Sequence, residues 1–159
     1  AKAGERIAVV SDAGTPGISD PAYRVVRAAV DRGVPVIPIP GPTAAISALV
    51  VSGLPTDRYV YEGFLPQKGE RRRRRVEALL EEERTVILYE SPHRIGRLVE
   101  EISNRAPGRP LAVARELTKL HEEIWRGTAA ELAGRLKGKS VKGECVLLIG
   151  PKRMEEKPS

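Results

Sequence analysis

Two stretches decide the fold: IAVVSDAGTPGISDP at residues 7–21 and VPVIPIPGPTAA at residues 34–45. Each opens on an apolar run and ends in a loop of Gly, Pro and small polar residues. Residues 7–10 (Ile-Ala-Val-Val) read as a short buried strand. After the loop, Asp20 is the expected N-cap and Pro21 suits the first helical position. The helix should run to about Arg32 and stop at Gly33. Residues 34–39 read as an extended segment whose two prolines favour an edge or a bulge. Thr43 should cap a second helix of small and apolar residues that stops at Gly53. Strand, loop and helix, twice over, form the parallel α/β pattern.

Outward from there, residues 54–58 (LPTDR) read as a linker. The second half predicts strands at 59–64, 85–89, 111–115, 123–126 and 145–149, with helices at about 70–83 and from Ser91-Pro92 to before Pro107. Thr128-Ala-Ala-Glu131 is a capping-box pattern that opens a short helix. The expected domains are therefore 1–55 and 56–151, followed by a polar, frayed tail at 152–159.

The 159 residues are 41% apolar, 30% charged and 4% aromatic, enough for a real core and unlike a disordered tail. One cysteine, Cys145, excludes an internal disulfide, and two histidines, His93 and His121, argue against a histidine-rich metal centre. No metal is expected. The longest uncharged run, 33–56, holds five prolines and so is not a membrane-spanning helix. A reducing, cytoplasmic setting is the expectation, and no membrane partner. Net charge is +6, and all of it falls in residues 58–159, where 22 basic side chains meet 16 acidic ones. A neutral, Gly- and Pro-rich half and a basic half suggest a small-ligand site in the first and a polyanion surface in the second.

In open α/β sheets, ligands collect at the carboxyl ends of strands. In the first loop Gly14 and Gly17 permit close backbone approach, and Asp12, Thr15 and Ser19 add polar handles. The loop is neither a dinucleotide fingerprint nor a Walker loop. It reads equally as a tight strand-to-helix turn with Asp20 and Ser19 as caps. The second loop, Pro40-Gly41-Pro42-Thr43-Ala44-Ala45, carries no charge. It suits a neutral or zwitterionic ligand beside free helix N–H groups, or is a rigid turn plus a cap.

Together the two stretches resemble the S-adenosylmethionine-binding half of the tetrapyrrole methylase fold family. GFLPQKGER at 63–71, LYESPHRI at 88–95 and ARELTKLHEEIWRGT at 114–128 resemble one branch of it, the bacterial 2′-O-ribose methyltransferases of small-subunit ribosomal RNA. The resemblance spans Arg6 to Gly150. It implies a two-domain α/β fold with S-adenosyl-L-methionine folded in the cleft between domains. It departs from the family pattern at Ala22, where Gly is usual, and at the start, where a strand and a loop like Pro-Thr-Pro-Ile-Gly-Asn-Leu are absent. The N-terminal domain is therefore expected to be incomplete, and this chain alone inactive.

By that resemblance, Asp12, Ala13, Gly14, Thr15, Ile18 and Ser19 of the first loop and Pro40, Gly41, Pro42, Thr43 and Ala44 of the second line the cofactor. Tyr89, Leu117 and Thr118 close the cleft from the second domain. Lys68, Arg71, Arg94, Arg97 and Arg115 should meet RNA phosphates. The substrate expected is a cytidine ribose in the decoding region, and the family is typically homodimeric, with the 43–53 helix able to contribute apolar surface. Scarce aromatics argue against base stacking on a sheet.

The implied reaction is an in-line displacement in which a ribose 2′-oxygen attacks the methyl carbon of a sulfonium, so much of the work is alignment. A protonated hydroxyl is a poor nucleophile, and a base or alkoxide stabiliser would help. Glu90 and Lys119 are the leading candidates, with Glu116 and His93 behind them. Each has a bland alternative: Glu116 and Lys119 as a charge pair, Glu90 as an acceptor at the helix starting at Ser91, His93 as a first-turn surface residue. Two other functions stay open, a methylase of a tetrapyrrole and a non-catalytic RNA-binding remnant.

Overall fold

The computed structural model describes residues 4–153 of the chain. Residues 1–3, and 154–159 of the expected tail, lie outside the described residues. Contacts divide the chain into two compact units, 1–44 and 45–159, rather than at the expected boundary after residue 55. The cause lies in the second helix, whose apolar residues pack within the second unit.

The second unit is built on one five-stranded mixed sheet. Its strands are β1 (Tyr59–Phe64), β2 (Thr85–Glu90), β3 (Pro110–Arg115), β4 (Glu123–Thr128) and β5 (Cys145–Ile149), in spatial order β1-β2-β5-β3-β4. β1 and β2 pair in parallel, and the β2–β5, β5–β3 and β3–β4 pairs are antiparallel. Because β5 runs against both its neighbours, β1, β2 and β3 share one direction. Their carboxyl ends therefore lie along the same edge of the sheet. In register, Glu90 faces Cys145, and Cys145 faces Arg115.

The helices are α2 (Ala44–Ser52), α3 (Glu70–Leu80), α4 (Pro92–Arg105) and α5 (Ala129–Leu136). Alternation along the strands sorts the core into two faces. Val86, Leu88, Leu111, Val113, Leu147 and Ile149 face α3, α4 and α5, which contribute residues such as Val76, Ile95, Ile102 and Leu132. Ile87, Ala112, Ala114, Val146 and Leu148 face α2, through Ala45, Ala48 and Leu49. Small residues on both sides of this second interface let α2 approach closely.

Local chemistry explains the ends of the elements. Ser91 caps α4, accepting from the His93 N–H at 3.3 Å, with Pro92 at the first position. The capping box of α5 is complete: Thr128 Oγ1 accepts from the Glu131 N–H, and the Glu131 carboxylate accepts from the Thr128 N–H at 2.7 Å. The β1–β2 register shifts between Tyr61 and Gly63, where Gly63 has φ 71°. Glu62, at that irregularity, bonds Arg75 of α3.

The first unit departs from expectation. Residues 7–10 and 34–39 form no ladder among the described residues. A strand needs a hydrogen-bonding neighbour, and every ladder described belongs to the second unit. Their side chains are accordingly exposed: Val10 is 82% accessible and Ile39 80%. The helix α1 (Tyr23–Val30) is shorter than expected and buries none of its residues. Asp20 is not its N-cap; Ala22 takes that place, in helical geometry and without a side-chain bond. The Ala22 N–H bonds the Asp20 carbonyl at 3.0 Å instead, closing a turn over Pro21. Gly33, at φ 65°, ends the segment as expected.

Candidate functional site

In the first unit the two loops meet. Thr15 Oγ1 donates to the Pro42 carbonyl at 3.1 Å. A Cβ on Gly14 would stand 3.5 Å from that same carbonyl, and one on Gly41 would stand 3.6 Å from Thr15 Oγ1. Gly14 (φ 72°), Gly17 (φ 88°) and Ser19 (φ 56°) take left-handed backbone, so the loop is tightly wound. Ser11 Oγ donates to the Gly14 carbonyl at 3.0 Å and holds the turn. Asp12, Ala13, Gly14, Ile18, Ser19, Pro40, Gly41, Pro42 and Ala44 are exposed, and Thr15 and Thr43 partly so. Backbone and small side chains thus form an accessible, nearly uncharged surface, with Asp12 its one carboxylate.

In the second unit the remaining candidates gather at the carboxyl ends of β1, β2 and β3. The Tyr89 hydroxyl accepts from the Ala45 N–H at 3.1 Å, tying the start of α2 to the end of β2. Its ring meets those of Tyr61 and Phe64 edge to face, with centroids 5.4 and 5.6 Å away. Burial pushes the Tyr89 phenol above its ordinary pKa, so it stays protonated. Leu117 packs against the α2 side of the sheet, alongside Tyr89. The aromatic trio was not anticipated; the parallel register that sets Phe64 beside Tyr89 is the signal that reveals it.

Leu117 and Thr118 lie in a strained loop after β3. Glu116 (φ 49°) and Thr118 (φ 65°) both hold left-handed backbone, a conformation costing each about 1 kcal/mol or more. Side chains hold them there. The Glu116 carboxylate accepts from the Glu144 N–H at 2.8 Å and from Lys119 Nζ at 3.1 Å, and the Thr118 N–H donates to Glu122 at 2.6 Å. The Glu144 N–H, then Lys119, lower the Glu116 pKa. Lys119 also reaches Glu144 at 3.1 Å, and Glu144 followed by Glu116 raises its pKa. Lys119 is therefore a firmly charged ammonium held between two carboxylates, and unsuited to removing a proton.

Glu90 is nearly sealed, with its side chain 1% exposed. One carboxylate oxygen accepts from the Ser91 N–H at 2.8 Å and from Arg94 Nε at 2.7 Å. The other has no hydrogen bond, and Arg72 stands 3.7 Å from it. This is the acceptor role at the helix start, not an open base. His93 is an exposed first-turn residue.

The five RNA candidates separate. Lys68, Arg94 and Arg97 line one groove between α3 and α4, together with Arg72, Arg73, Glu101 and Arg105. Arg71 is exposed outside it. Arg115 turns inward and donates to the Lys142 carbonyl at 2.6 Å, the His121 carbonyl at 3.2 Å and Glu123 at 2.6 Å. Arg71–Arg75 is a run of five arginines; such like-charged runs usually form a solvated face, and this one does more. Arg73 pairs with Glu70 and Glu77, Arg74 with Glu70 and Arg75 with Glu62, while Arg72 is 9% exposed. Among the described residues no group of His, Cys, Asp and Glu could hold a metal, and no helix is long and apolar enough to cross a membrane.

Comparison with known proteins follows this geometry. The chain is 48% identical to a ribosomal RNA small subunit methyltransferase I of Synechocystis over 99% of its length and 57% of that protein's. It is 47% identical to the protein of the same name from Escherichia coli O157:H7, over 96% of this chain and 55% of that one. The Mycobacterium tuberculosis H37Rv protein of that name is 48% identical over 92% and 51%. The chain thus spans about half the length of these relatives. Among solved structures, a diphthine synthase superposes with TM-score 0.67 at 15% identity, covering 89% of this chain and 59% of that one. The methyltransferase CobJ gives 0.63 at 21%, covering 87% and 62%. A uroporphyrin-III C-methyl transferase from Thermus thermophilus, complexed with S-adenyl homocysteine, gives 0.56 at 19%, covering 86% and 62%. The family model of the tetrapyrrole (corrin/porphyrin) methylases matches residues 1–133. With the family's loops, sheet and relatives all present over most of its length, the chain belongs to the tetrapyrrole (corrin/porphyrin) methylases.

Proposed function

We propose that this chain is part of an S-adenosylmethionine-dependent methyltransferase that modifies the 2′-oxygen of a cytidine ribose in the decoding region of small-subunit ribosomal RNA. The observation that carries the reading is the 47–48% identity, over at least 92% of the chain, to proteins named for methylating that RNA. The basic second half agrees with it. A cytoplasmic setting and a homodimer go with the proposal.

The first unit's loops fit the cofactor in kind. Thr15 and Pro42 hold two glycine-bearing turns together, and Gly14 (φ 72°) takes a backbone that other residues rarely adopt. Backbone N–H and carbonyl groups of 12–19 and 40–44 would hold the amino acid and adenosine portions. When bound, S-adenosylmethionine supplies an electrophilic methyl group on sulfur. The methyl would pass to the ribose oxygen, the sulfur would leave as the neutral thioether, and the hydroxyl proton would go to solvent. Tyr89, Leu117 and Thr118 stand at or just after the carboxyl ends of β2 and β3 in the second unit. Lys119, held charged by two carboxylates, stabilises the developing alkoxide, and the bonded state of Glu90 supports catalysis by alignment rather than by an open carboxylate base.

Calorimetry with S-adenosylmethionine and transfer of labelled methyl to small ribosomal subunits or to a porphyrin precursor, both with the full-length protein, test the reading. Binding, with label recovered as 2′-O-methylcytidine, is expected. Label entering the porphyrin and not the RNA would overturn it. Thr43→Arg should fill the uncharged loop and abolish cofactor binding while leaving the circular dichroism spectrum unchanged; unaltered affinity would remove that loop from the site.

A further inference from the structure

The groove between α3 and α4 is lined by six cations, Lys68, Arg72, Arg73, Arg94, Arg97 and Arg105, and by the single carboxylate of Glu101. Its volume is about 260 Å³, ample for one phosphoryl group. Four of the cations are already paired. Arg72 reaches Glu101 at 3.3 Å and Glu90 at 3.7 Å. Arg73 holds Glu70 and Glu77, at 2.6 and 3.0 Å. Arg94 holds Glu90 at 2.7 Å, and Arg105 holds Glu77 at 3.1 Å. Among the described residues, Lys68 and Arg97 have no carboxylate within 4.0 Å. Six cations held with four carboxylates leave about two positive charges in a concave site, and these two side chains carry them.

Such a site is built for an anion. Like charges drawn together on neighbouring elements repel, and an anion between them relieves that repulsion. The floor is rigid, because Arg72 is nine-tenths buried and pinned by two carboxylates and the Pro66 carbonyl. The unpaired cations are exposed. Arg97 presents a planar fork that matches two phosphate oxygens, and Lys68 a point charge. Gly69, with no side chain to fill the entrance, lines the same groove.

We propose that this groove seats one phosphodiester of the substrate RNA, gripped by Lys68 and Arg97 over the Arg72–Arg94 floor. The identity of the anion rests on the RNA reading above; the existence of the anion site does not. In this arrangement Arg71 and Arg115 are outside the grip. Arg115 in particular is occupied by two backbone carbonyls and Glu123.

The test is equilibrium binding of the full chain to small-subunit ribosomal RNA across a salt series. The variants are Lys68→Gln and Arg97→Gln, with Arg74→Gln as a control of equal charge outside the groove. Each groove variant should weaken binding about tenfold and lower the salt slope by about one, while Arg74→Gln changes affinity less than twofold. Circular dichroism should be unaltered, because both groove side chains are exposed. Inorganic phosphate and polyglutamate enter as competitors. RNA bound normally, with groove variants indistinguishable from Arg74→Gln, would overturn this proposal and leave the methyltransferase reading standing. Inorganic phosphate bound through Arg97 by a chain that ignores RNA would make the site one for free phosphate and sink the RNA reading instead. Polyglutamate displacing RNA as well as unlabelled RNA does would assign the groove to an acidic protein.

Discussion

Glu90 shows how one buried charge organises the end of a strand. Its carboxylate, itself 1% exposed, gathers a backbone N–H, Arg94 and Arg72. Removing one partner from such a cluster leaves the others buried and uncompensated. Glu90→Gln should therefore destabilise the chain by about 3 kcal/mol or more, measured as a lower midpoint in urea at unchanged slope. A second test concerns Cys145, whose thiol burial pushes up to about 11. Its proton is held more tightly folded than unfolded. The resulting stability is complete below the ordinary thiol pKa of about 8.5 and is lost as pH rises from there through about 11. Cys145 should be inert to a thiol reagent at pH 8 in native buffer and react at once in guanidinium. Cys145→Ala should lose stability more slowly than the parent as pH rises over that window. Native reactivity equal to the denatured rate would show that the thiol is not buried.

The elements of the second unit were legible in sequence because each carries its own punctuation. Ser91-Pro92 opens α4, Thr128 to Glu131 forms the box of α5, and short continuous apolar runs mark β2, β3 and β5. Arg72 escaped that reading because four neighbouring arginines suggested a uniformly wet helix. Its spacing from Val76, Leu79 and Leu80 puts it on the apolar stripe, and only that spacing discloses its burial. The fate of Arg115 was not legible, since its acceptors, the carbonyls of Lys142 and His121, arrive by tertiary folding. The meeting of residues 12–15 with 41–42 follows from reading 7–10 and 34–39 as neighbouring parallel strands, yet the loops meet through Thr15 and Pro42 while those segments form no ladder among the described residues. The capping box also sets a magnitude. Thr128→Ala removes an acceptor for the Glu131 N–H and should cost about 1 kcal/mol, read by urea unfolding. Thr128→Ser should recover most of the loss, because it restores the oxygen. A Ser variant as weak as the Ala variant would mean that the threonine methyl, not the cap, is what matters.

At the scale of the molecule, stability is unequal between the two units. The second has a sheet covered on both faces, with Ile87, Leu88, Leu147 and Leu148 wholly inaccessible. The first has no ladder among its described residues, an α1 that buries nothing, and exposed Val10, Ile37 and Ile39. Burial and ladder hydrogen bonds are what slow the exchange of backbone amides, so protection should follow that division. Hydrogen exchange of the intact chain should find the amides of 86–89 and 145–149 opening only with global unfolding. Those of 7–10 and 34–39 should exchange at nearly the rate of an unstructured peptide, with α1 between the two extremes. The order matters more than the absolute rates, because it asks whether an apolar segment without a ladder partner behaves as a strand. If 34–39 proved as protected as 145–149, that segment would be paired in solution, and the surface offered by Ile37 and Ile39 would be an interior one. If instead 145–149 exchanged as fast as 34–39, the sheet would not be the stable centre from which the carboxyl-end site is held.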